Sequence, residues 1–281
     1  MTRAYKCLDV LTDSFQFIPD DVTGNIRKYI PVLTDKNIRQ EVDNWYKGGK
    51  SQKRIEALYG HIRKWDVSRV TDMSQLFMDM EHFDDDISQW DVSNVRDMSY
   101  MFDNALKFNQ PLNDWDGSNV TDMTSMFLSA KRFNQSLNDW NVSNVKTMED
   151  MFGLAESFNQ PLNSWNVSNV KNMSSMFKMA KSFNQALDSW NVSNVIFMDS
   201  MFGLAESFNQ PLNSWNISNV EIMSNMFWNA KSFNQPLNDW IVPNNVYQHC
   251  MFTDARSFNM HENAPWYMFI EEEMQRKYWR H

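Results

Sequence analysis

The side chains that could support catalysis or hold a metal ion are few and scattered in this sequence. No two histidines lie three or four positions apart, the spacing that places two ligands on one metal ion. The two cysteines, Cys7 and Cys250, lie near opposite ends, and none of the seven glycines falls in a phosphate-binding loop motif. The sequence therefore predicts a protein that is not an enzyme and needs no cofactor or metal. The histidines are His61, His82, His249, His261 and His281.

Acidic side chains show more order, because two sets of aspartates recur every 25 residues. Like charges stacked about 5 Å apart repel by roughly 0.5–1 kcal/mol, so the two sets need a counter-charge or a function. One hypothesis is that they form an acidic face that binds a basic protein or a cation. The alternative is a surface that only keeps the protein hydrated. The first set is Asp66, Asp91 and Asp116, and the second is Asp72, Asp97 and Asp122.

A second candidate binding patch is apolar. Phe197 and Ile222 are 25 residues apart in a position that is otherwise polar, and Ile196 precedes the first of them. Trp228 replaces Gly203 and Lys178 at another variable position. Clustered exposed aromatic residues are typical of protein interfaces. The alternative is that these four side chains pack under a neighbouring loop.

Both candidate patches depend on a repeat that runs through most of the chain. Tryptophan recurs every 25 residues from Trp65 to Trp240, and phenylalanine keeps the same interval from Phe83 to Phe258. A fixed period of this length indicates a stack of similar coils, each packed mainly on its neighbours. Two asparagine columns, which include Asn94 and Asn109, are predicted to bond successive coils together.

Each coil contains two patterns of apolar residues. Trp165 and Val167 alternate with polar residues, which predicts a short strand. Met173, Met176 and Phe177 follow at steps of three and one, with Ala180 three residues later, which predicts about two turns of helix. The sequence thus predicts a strand, a turn, a short helix and a loop in every coil.

Charge and hydropathy exclude some classes of partner. Residues 1–60 carry 10 Lys and Arg against 8 Asp and Glu, whereas residues 61–281 carry 16 against 27. An acidic array repels phosphate, so no nucleic acid is expected to bind. The chain has no signal core and no apolar run of 18 residues, which predicts no membrane insertion and an intracellular (cytoplasmic) or virion-associated protein.

The repeat resembles a known family. The phrases Phe-Asn-Gln-Pro-Leu-Asn-Ser-Trp-Asn-Val-Ser-Asn-Val (158–170) and Met-Ser-Ser-Met-Phe (173–177) are similar to the BspA-like class of leucine-rich repeat. Members occur in bacterial surface proteins, protists and large DNA viruses, with adhesive or protein-binding roles. The resemblance implies an α/β repeat solenoid, a leucine-rich-repeat-like right-handed coil. Short parallel strands, short helices and helical caps at both ends are the expected elements.

Four segments are expected along the chain. They are an N-terminal helical segment (1–34), an N-terminal cap (35–62), about eight repeats (63–260) and a C-terminal capping helix (261–281). In the cap, Ile38, Val42 and Trp45 have helical spacing, which predicts a helix over 35–46. At the other end, Trp266, Ile270 and Met274 predict an amphipathic helix over 264–280.

The first segment resembles the opening helix of an F-box, a motif that binds the adaptor of ubiquitin ligases. The alternative is an additional helical cap, since Pro19 and Asp20 are ordinary residues at a helix start. The residues of this candidate adaptor-binding motif are Ile18, Pro19, Asp20, Val22, Ile26 and Tyr29.

The expected function is therefore a non-catalytic scaffold that binds a protein partner, whose identity the sequence does not give. The alternatives are an F-box-like substrate receptor of a ubiquitin ligase and a cell-surface or virion-surface adhesin. The sequence leaves the oligomeric state open.

Overall fold

Helices are confined to the two ends of the protein in the computed structural model, which describes residues 32–243 and 245–267. Between the helices lie eight coils, numbered 1 to 8 from Trp65 to Trp240, which repeat every 25 residues. The helices are α1 (Ile38–Tyr46), α2 (Gly49–Tyr59), a 3₁₀ helix (Ile62–Lys64) and α3 (Met260–Asn263).

The predicted helix over 35–46 is confirmed as α1, and Ile38, Val42 and Trp45 are its buried residues. Lys47 and Gly48 then separate α1 from α2, and Gly48 adopts a φ of +68°, a conformation that glycine reaches without steric cost. Helix α2 buries Ile55 and packs against α1. Its C-terminal neighbour Gly60 also has a positive φ, of +75°, which ends the helix before coil 1.

The short helix predicted in each coil is wrong. In coil 5, backbone bonds join residues three apart, from the N–H of Met176 to the carbonyl of Met173 and from Ala180 to Phe177, at 3.2 and 3.0 Å. Ser175 and Met179 lie between them with φ near +56° and +60°. A positive φ at the third residue of a turn reverses the chain, so the segment is a series of tight turns. Every coil carries the same pair of positive-φ residues.

The predicted parallel strands are wrong as well. Neighbouring coils meet at isolated parallel bridges of one residue each, and no longer strand occurs in residues 32–243 or 245–267. Trp165 and Val167 lie outside these bridges. The expected α/β solenoid with leucine-rich-repeat-like strands and helices is therefore replaced by a stack of coils built from turns.

Backbone hydrogen bonds between coils explain why turns replace the helix. In coil 5, the N–H groups of Met173, Ser175, Phe177 and Met179 donate to carbonyl oxygens 24 residues further on, at 2.8 or 2.9 Å. A helix of two turns leaves its first four N–H groups without internal partners. The turns direct alternate N–H groups at the next coil instead, so that stacking satisfies them.

Identical side chains lie above one another in the core of the stack. The rings of Trp165 and Trp190 are 6.4 Å apart and almost parallel, and those of Phe177 and Phe202 are 5.7 Å apart. The indole of Trp190 also donates to the carbonyl of Leu162 in the preceding period, at 2.9 Å. Offset parallel rings are a favourable arrangement, and the indole N–H keeps a partner although it is buried.

Two charged side chains satisfy the open edge of coil 1, Asp35 just before helix α1 and Arg39 within it. The carboxylate of Asp35 accepts hydrogen bonds from the N–H groups of Thr71 and Asp72, at 2.7 and 3.1 Å. The guanidinium of Arg39 donates to the carbonyl of Ser74 at 2.7 Å. A carboxylate thus replaces the carbonyls of a preceding coil, and a guanidinium replaces its N–H groups.

The other end of the stack is covered in part by residues after α3. Trp266 continues the tryptophan column over Trp240, at 6.3 Å, and donates to the carbonyl of Leu237. The carbonyl of Asn263 accepts from the N–H of Leu237 at 2.8 Å. Of the helix predicted over 264–280, residues 265–267 are helical and 268–280 lie outside the described residues.

Candidate interaction surface

One variable column runs along the whole stack at the residues that form the parallel bridges. Its character changes from acidic in coils 1 to 3, through uncharged polar in coils 4 and 5, to apolar in coils 6 to 8. The side chains are half-buried, except that the last is 71% exposed. This bridge column consists of Asp72, Asp97, Asp122, Thr147, Asn172, Phe197, Ile222 and Tyr247.

Each of the three aspartates of the bridge column also stabilises a local turn, because its carboxylate accepts a hydrogen bond from the backbone N–H two residues later. Asp97 accepts from the N–H and the hydroxyl of Ser99, at 2.9 and 2.7 Å. Asn172 accepts the equivalent N–H bond from Ser174 at 2.9 Å, so an amide forms the same turn without a charge. The turn therefore explains an oxygen at this position but not the negative charge.

Helix α1 neutralises the first of these carboxylates. Arg39 lies 2.8 Å from Asp72, and both side chains are partly exposed. Burial alone would raise the pKa of Asp72, but hydrogen bonds from Ser74 and Arg39 hold it below its usual range. Asp97 and Asp122 are thus the two bridge-column carboxylates that are not paired with a lysine or arginine within the described residues.

The other predicted acidic set, Asp66, Asp91 and Asp116, is exposed and forms a separate column. Each carboxylate accepts a hydrogen bond from the backbone of the serine two residues later, which is Ser68 for Asp66. The hydrogen bonds from that serine hold the pKa of Asp66 below its usual range. Asn141 makes the equivalent bond in coil 4, so here too an amide can replace the acid.

The structure brings together three of the four apolar candidates. Phe197 and Ile222 form a parallel bridge, and Ile196 directly precedes Phe197. Trp228 belongs to a different column, where its carbonyl accepts from the N–H of Leu204 at 2.7 Å. All four side chains are half-buried, an exposure that is compatible with binding and with packing.

Sequence reasoning missed two exposed apolar residues in the last coil. Tyr247 extends the bridge column beyond Ile222 and is 71% exposed, and Ile241 is 82% exposed. Ile241 lies 25 residues after Asn216, so simple counting would have found it. Tyr247 lies 25 residues after Ile222, so the same count would have found it as the next member of the bridge column.

Charged residues of opposite sign alternate in another column of the stack. Glu156 lies between Lys131 and Lys181, at 3.9 and 3.0 Å, and Lys231 pairs with Glu206 at 2.8 Å. Exposed pairs of this kind contribute about 0–1 kcal/mol each. Their alternation opposes a shift of register between coils, so this column has a structural role.

One carboxylate lies in an unfavourable environment. Burial, with the nearby charges of Asp79 and Asp150, raises the pKa of Asp103 to about 6. The pKa of Asp150 is raised as well, first by burial and then by Glu149. No group of three or more His, Cys, Asp or Glu side chains in the described residues is arranged to hold a metal ion.

The candidate adaptor-binding residues cannot be placed on this surface, since Ile18, Pro19, Asp20, Val22, Ile26 and Tyr29 lie outside the described residues. In the part of the chain that is described, no helix has the length and apolar character needed to cross a bilayer.

A family model described as "Mycoplasma protein of unknown function, DUF285" matches residues 50–165 and 154–266. The chain belongs to this family. Membership in DUF285 agrees with the tandem repeats, whereas the BspA-like leucine-rich-repeat name stays a resemblance. No curated protein and no solved structure gives a significant match to the chain.

Proposed function

We propose that this DUF285 protein is a non-catalytic scaffold that binds a protein partner along the bridge column. The main support for this proposal is that the side chain in this column differs from coil to coil, whereas the backbone that carries it has the same conformation in each coil. Each coil presents one side chain at a bridge, half-buried in coils 1 to 7 and exposed in coil 8. At every junction, the N–H of the residue after the bridge donates to the carbonyl of the bridge residue in the next coil. A rigid frame with variable side chains suits recognition, because little conformational entropy is lost on binding.

The column also indicates the chemistry of the partner. Asp97 and Asp122 offer negative charge at one end, and Phe197, Ile222 and Tyr247 offer apolar surface at the other. A complementary partner would carry basic residues opposite coils 2 and 3 and apolar residues opposite coils 6 to 8. The apolar end would supply most of the affinity, whereas exposed charges mainly increase the association rate.

Affinity capture with mass spectrometry tests this proposal when matched variants are compared. Phe197→Ser with Ile222→Ser should abolish capture of the partner while the thermal unfolding midpoint falls by only a few degrees. Asp97→Asn with Asp122→Asn keeps the turns that Asn172 makes, and should weaken capture mainly at low salt. The matched control is Thr147→Ser, in the same column. Undiminished capture by the Phe197 and Ile222 double variant would refute the proposal.

A further inference from the structure

A second variable column lies at the second positive-φ residue of each coil. In coils 1 to 3 and in coils 7 and 8 this residue is Asp, Asn or Ser, and Asp and Asn are among the residues that adopt a left-handed backbone most readily after glycine. Coils 4 to 6 instead carry leucine or methionine there, with φ between 58° and 60°. This left-handed column consists of Asp79, Asn104, Ser129, Leu154, Met179, Leu204, Asn229 and Asp254.

The fold does not require the three apolar residues of the left-handed column. Asn104 has nearly the same φ as Met179, and the N–H of each donates to the next coil at 2.8 Å, so an asparagine forms this turn equally well. Leu154, Met179 and Leu204 are also only half-buried, whereas the methionines of the core are fully buried. Strained residues that the fold does not require are typical of binding sites.

The position just before the left-handed column adds two apolar side chains. Leu128 in coil 3 and Trp228 in coil 7 are half-buried there. A Cβ atom at Gly153 would lie 2.9 Å from Cδ1 of Leu128, so glycine at this position lets the leucine lie against coil 4. Backbone bonds link the left-handed residues of coils 4 to 6 to the next coil, so the apolar side chains form one patch. This central patch consists of Leu128, Leu154, Met179, Leu204 and Trp228.

Carboxylates surround one end and one side of the central patch. Asp103 occupies the equivalent position one coil before the patch begins, and burial together with the charge of Asp79 raises its pKa. Neither aspartate forms an ion pair with a lysine or arginine of the described residues. Beside the patch, burial and Glu149 raise the pKa of Asp150, and Lys178 offsets part of this effect. The negative surroundings favour a basic partner.

The backbone of this face restricts how a partner can bind. In coil 5, the N–H groups of Ser174, Ser175, Lys178 and Met179 all donate to acceptors within the protein. An extended peptide would therefore find no backbone donors to pair with here, and its own N–H and carbonyl groups would lose water without gaining partners. A helix satisfies its own backbone and offers an apolar stripe to such a surface.

We propose that the central patch binds a basic amphipathic helix of a partner protein. The apolar stripe of that helix lies along Leu154, Met179 and Leu204, and its basic residues lie opposite Asp79 and Asp103. The patch spans four intervals between coils, roughly 20 Å, which matches a helix of about 13 residues. No residue of the patch belongs to the bridge column, so this inference goes beyond the proposed function and can fail separately from it.

A labelled synthetic peptide of about 14 residues, with Leu at helical spacing and Lys elsewhere, is the probe. Fluorescence anisotropy on the full-length protein measures its Kd, and far-ultraviolet circular dichroism measures the helix that it gains. The peptide should bind and become helical. A peptide with Glu in place of every Lys should bind at least about tenfold more weakly, because the carboxylates repel it.

A triple change in the left-handed column tests the apolar contacts. Leu154→Asn with Met179→Asn and Leu204→Asn keeps the turn that Asn104 makes, so the thermal unfolding midpoint should change by only a few degrees. The Kd of the basic peptide should rise at least about tenfold. If the triple variant does not fold, Met179→Asn alone gives the comparison and should raise the Kd at least about threefold.

Two further pairs of variants separate the surfaces. Asp79→Asn with Asp103→Asn should weaken peptide binding at low salt and have little effect at high salt. The control removes the same charge from another column, Asp66→Asn with Asp91→Asn, and should have a much smaller effect. The double change to Ser that tests the bridge column should leave peptide binding unchanged.

Four results would overturn the inference. They are no binding of the basic peptide, equal binding of the acidic peptide, binding that the Asn variants leave unaffected, and self-association of the protein that the same variants abolish. The last result would show that a second copy of this chain covers the central patch.

Discussion

At the scale of single residues, the unusual feature is a left-handed backbone at residues other than glycine. Two such residues occur in every coil, and in coil 3 they are Ser125 and Ser129, with φ of 53° and 57°. This conformation costs roughly 1–2 kcal/mol for a residue with a Cβ atom. The cost is tolerated because it turns an N–H toward the next coil, and the N–H of Ser129 reaches the carbonyl of Gly153 at 2.7 Å.

Glycine should relieve this strain at Ser129. Ser129→Gly removes the left-handed penalty, whereas Ser157→Gly, at a residue without a positive φ, removes none. Both changes lower the free energy of the unfolded chain by about 0.4–1 kcal/mol, because glycine has more conformational entropy there than serine. The unfolding free energy of Ser129→Gly should therefore exceed that of Ser157→Gly by about 1–2 kcal/mol in urea titrations. Equal values would show that the strain is relaxed in solution.

The raised pKa of Asp103 predicts a pH dependence of stability. Because its folded pKa, about 6, lies above that of the unfolded chain, the fold favours the protonated form. That contribution is present at low pH and is lost as the pH rises through 6. Asp103→Asn should raise the unfolding free energy at pH 7 by roughly 0.5–1 kcal/mol, after allowance for solvent screening, and have little effect at pH 4.

Asp116→Asn is the control, since its effect on the unfolding free energy at pH 7 should have the opposite sign. Hydrogen bonds from Ser118 hold the pKa of Asp116 below its usual range, so its carboxylate contributes stability that is present above the unfolded pKa and lost as the pH falls. This variant should be slightly destabilised at pH 7 and unchanged at low pH. Thermal unfolding between pH 2 and pH 8 distinguishes the two, because the Asp116 contribution is lost only below the unfolded pKa, and parallel profiles would contradict the assignment.

At the scale of elements, the asparagine columns replace what a sheet would provide. The predicted structural role of these asparagines is confirmed. The side chain of Asn194 donates to the carbonyl of Ser168 at 2.7 Å, in the preceding coil. In the other column, Oδ1 of Asn159 accepts from the N–H of Asn184 and from the side chain of Gln185, at 2.9 and 3.0 Å. Side-chain amides thus bridge the coils where the backbone does not.

Asn159 therefore gives a test of what this column contributes. Asn159→Ala leaves the N–H of Asn184 and the amide of Gln185 without their acceptor, and should cost about 1–3 kcal/mol of unfolding free energy. Asn159→Asp keeps an acceptor, as Asp84 does for the N–H of Asn109 at 2.9 Å, and should cost much less. Urea titrations of both variants decide this, and similar losses would argue against the hydrogen bond as the cause.

The sequence predicted which side chains are buried better than it predicted the backbone that carries them. The 25-residue interval of Trp165 and Trp190 is enough to place one indole on the next. The spacing of Met173, Met176 and Phe177 fits a helix and a pair of turns equally well. Only a positive φ at Ser175 distinguishes them, and serine carries no sign of that conformation.

Of the candidate surface, the sequence identified the variable positions but not how they are joined. Phe197 and Ile222 were found because they break a polar column, whereas their direct bridge follows from backbone geometry. The local role of Asp97 was not predicted, because a turn bond to Ser99 looks the same in sequence as a free acid.

At the scale of the whole molecule, stability should depend on the junctions between neighbouring coils. Each coil contacts mainly the coils before and after it, so the fold is expected to tolerate removal of whole periods. The sequence contains a site where whole periods can be deleted without changing the residues around the junction. Residues 151–166 and 201–216 are identical, and deleting residues 167–216 therefore joins Asn166 to Ile217 without a change in local sequence.

The deletion of residues 167–216 should give a folded protein with six coils. It removes two full periods, so Glu156 is followed by Lys231 and the alternation of charge is kept. The denaturant m-value should fall by roughly a fifth, in proportion to the surface that unfolding exposes. Deleting residues 167–214 instead shifts every later tryptophan and asparagine by two positions, and should abolish the cooperative transition. Near-ultraviolet circular dichroism of the stacked indoles and urea titration measure both, and equal stability of the two deletions would mean that the coils do not depend on register.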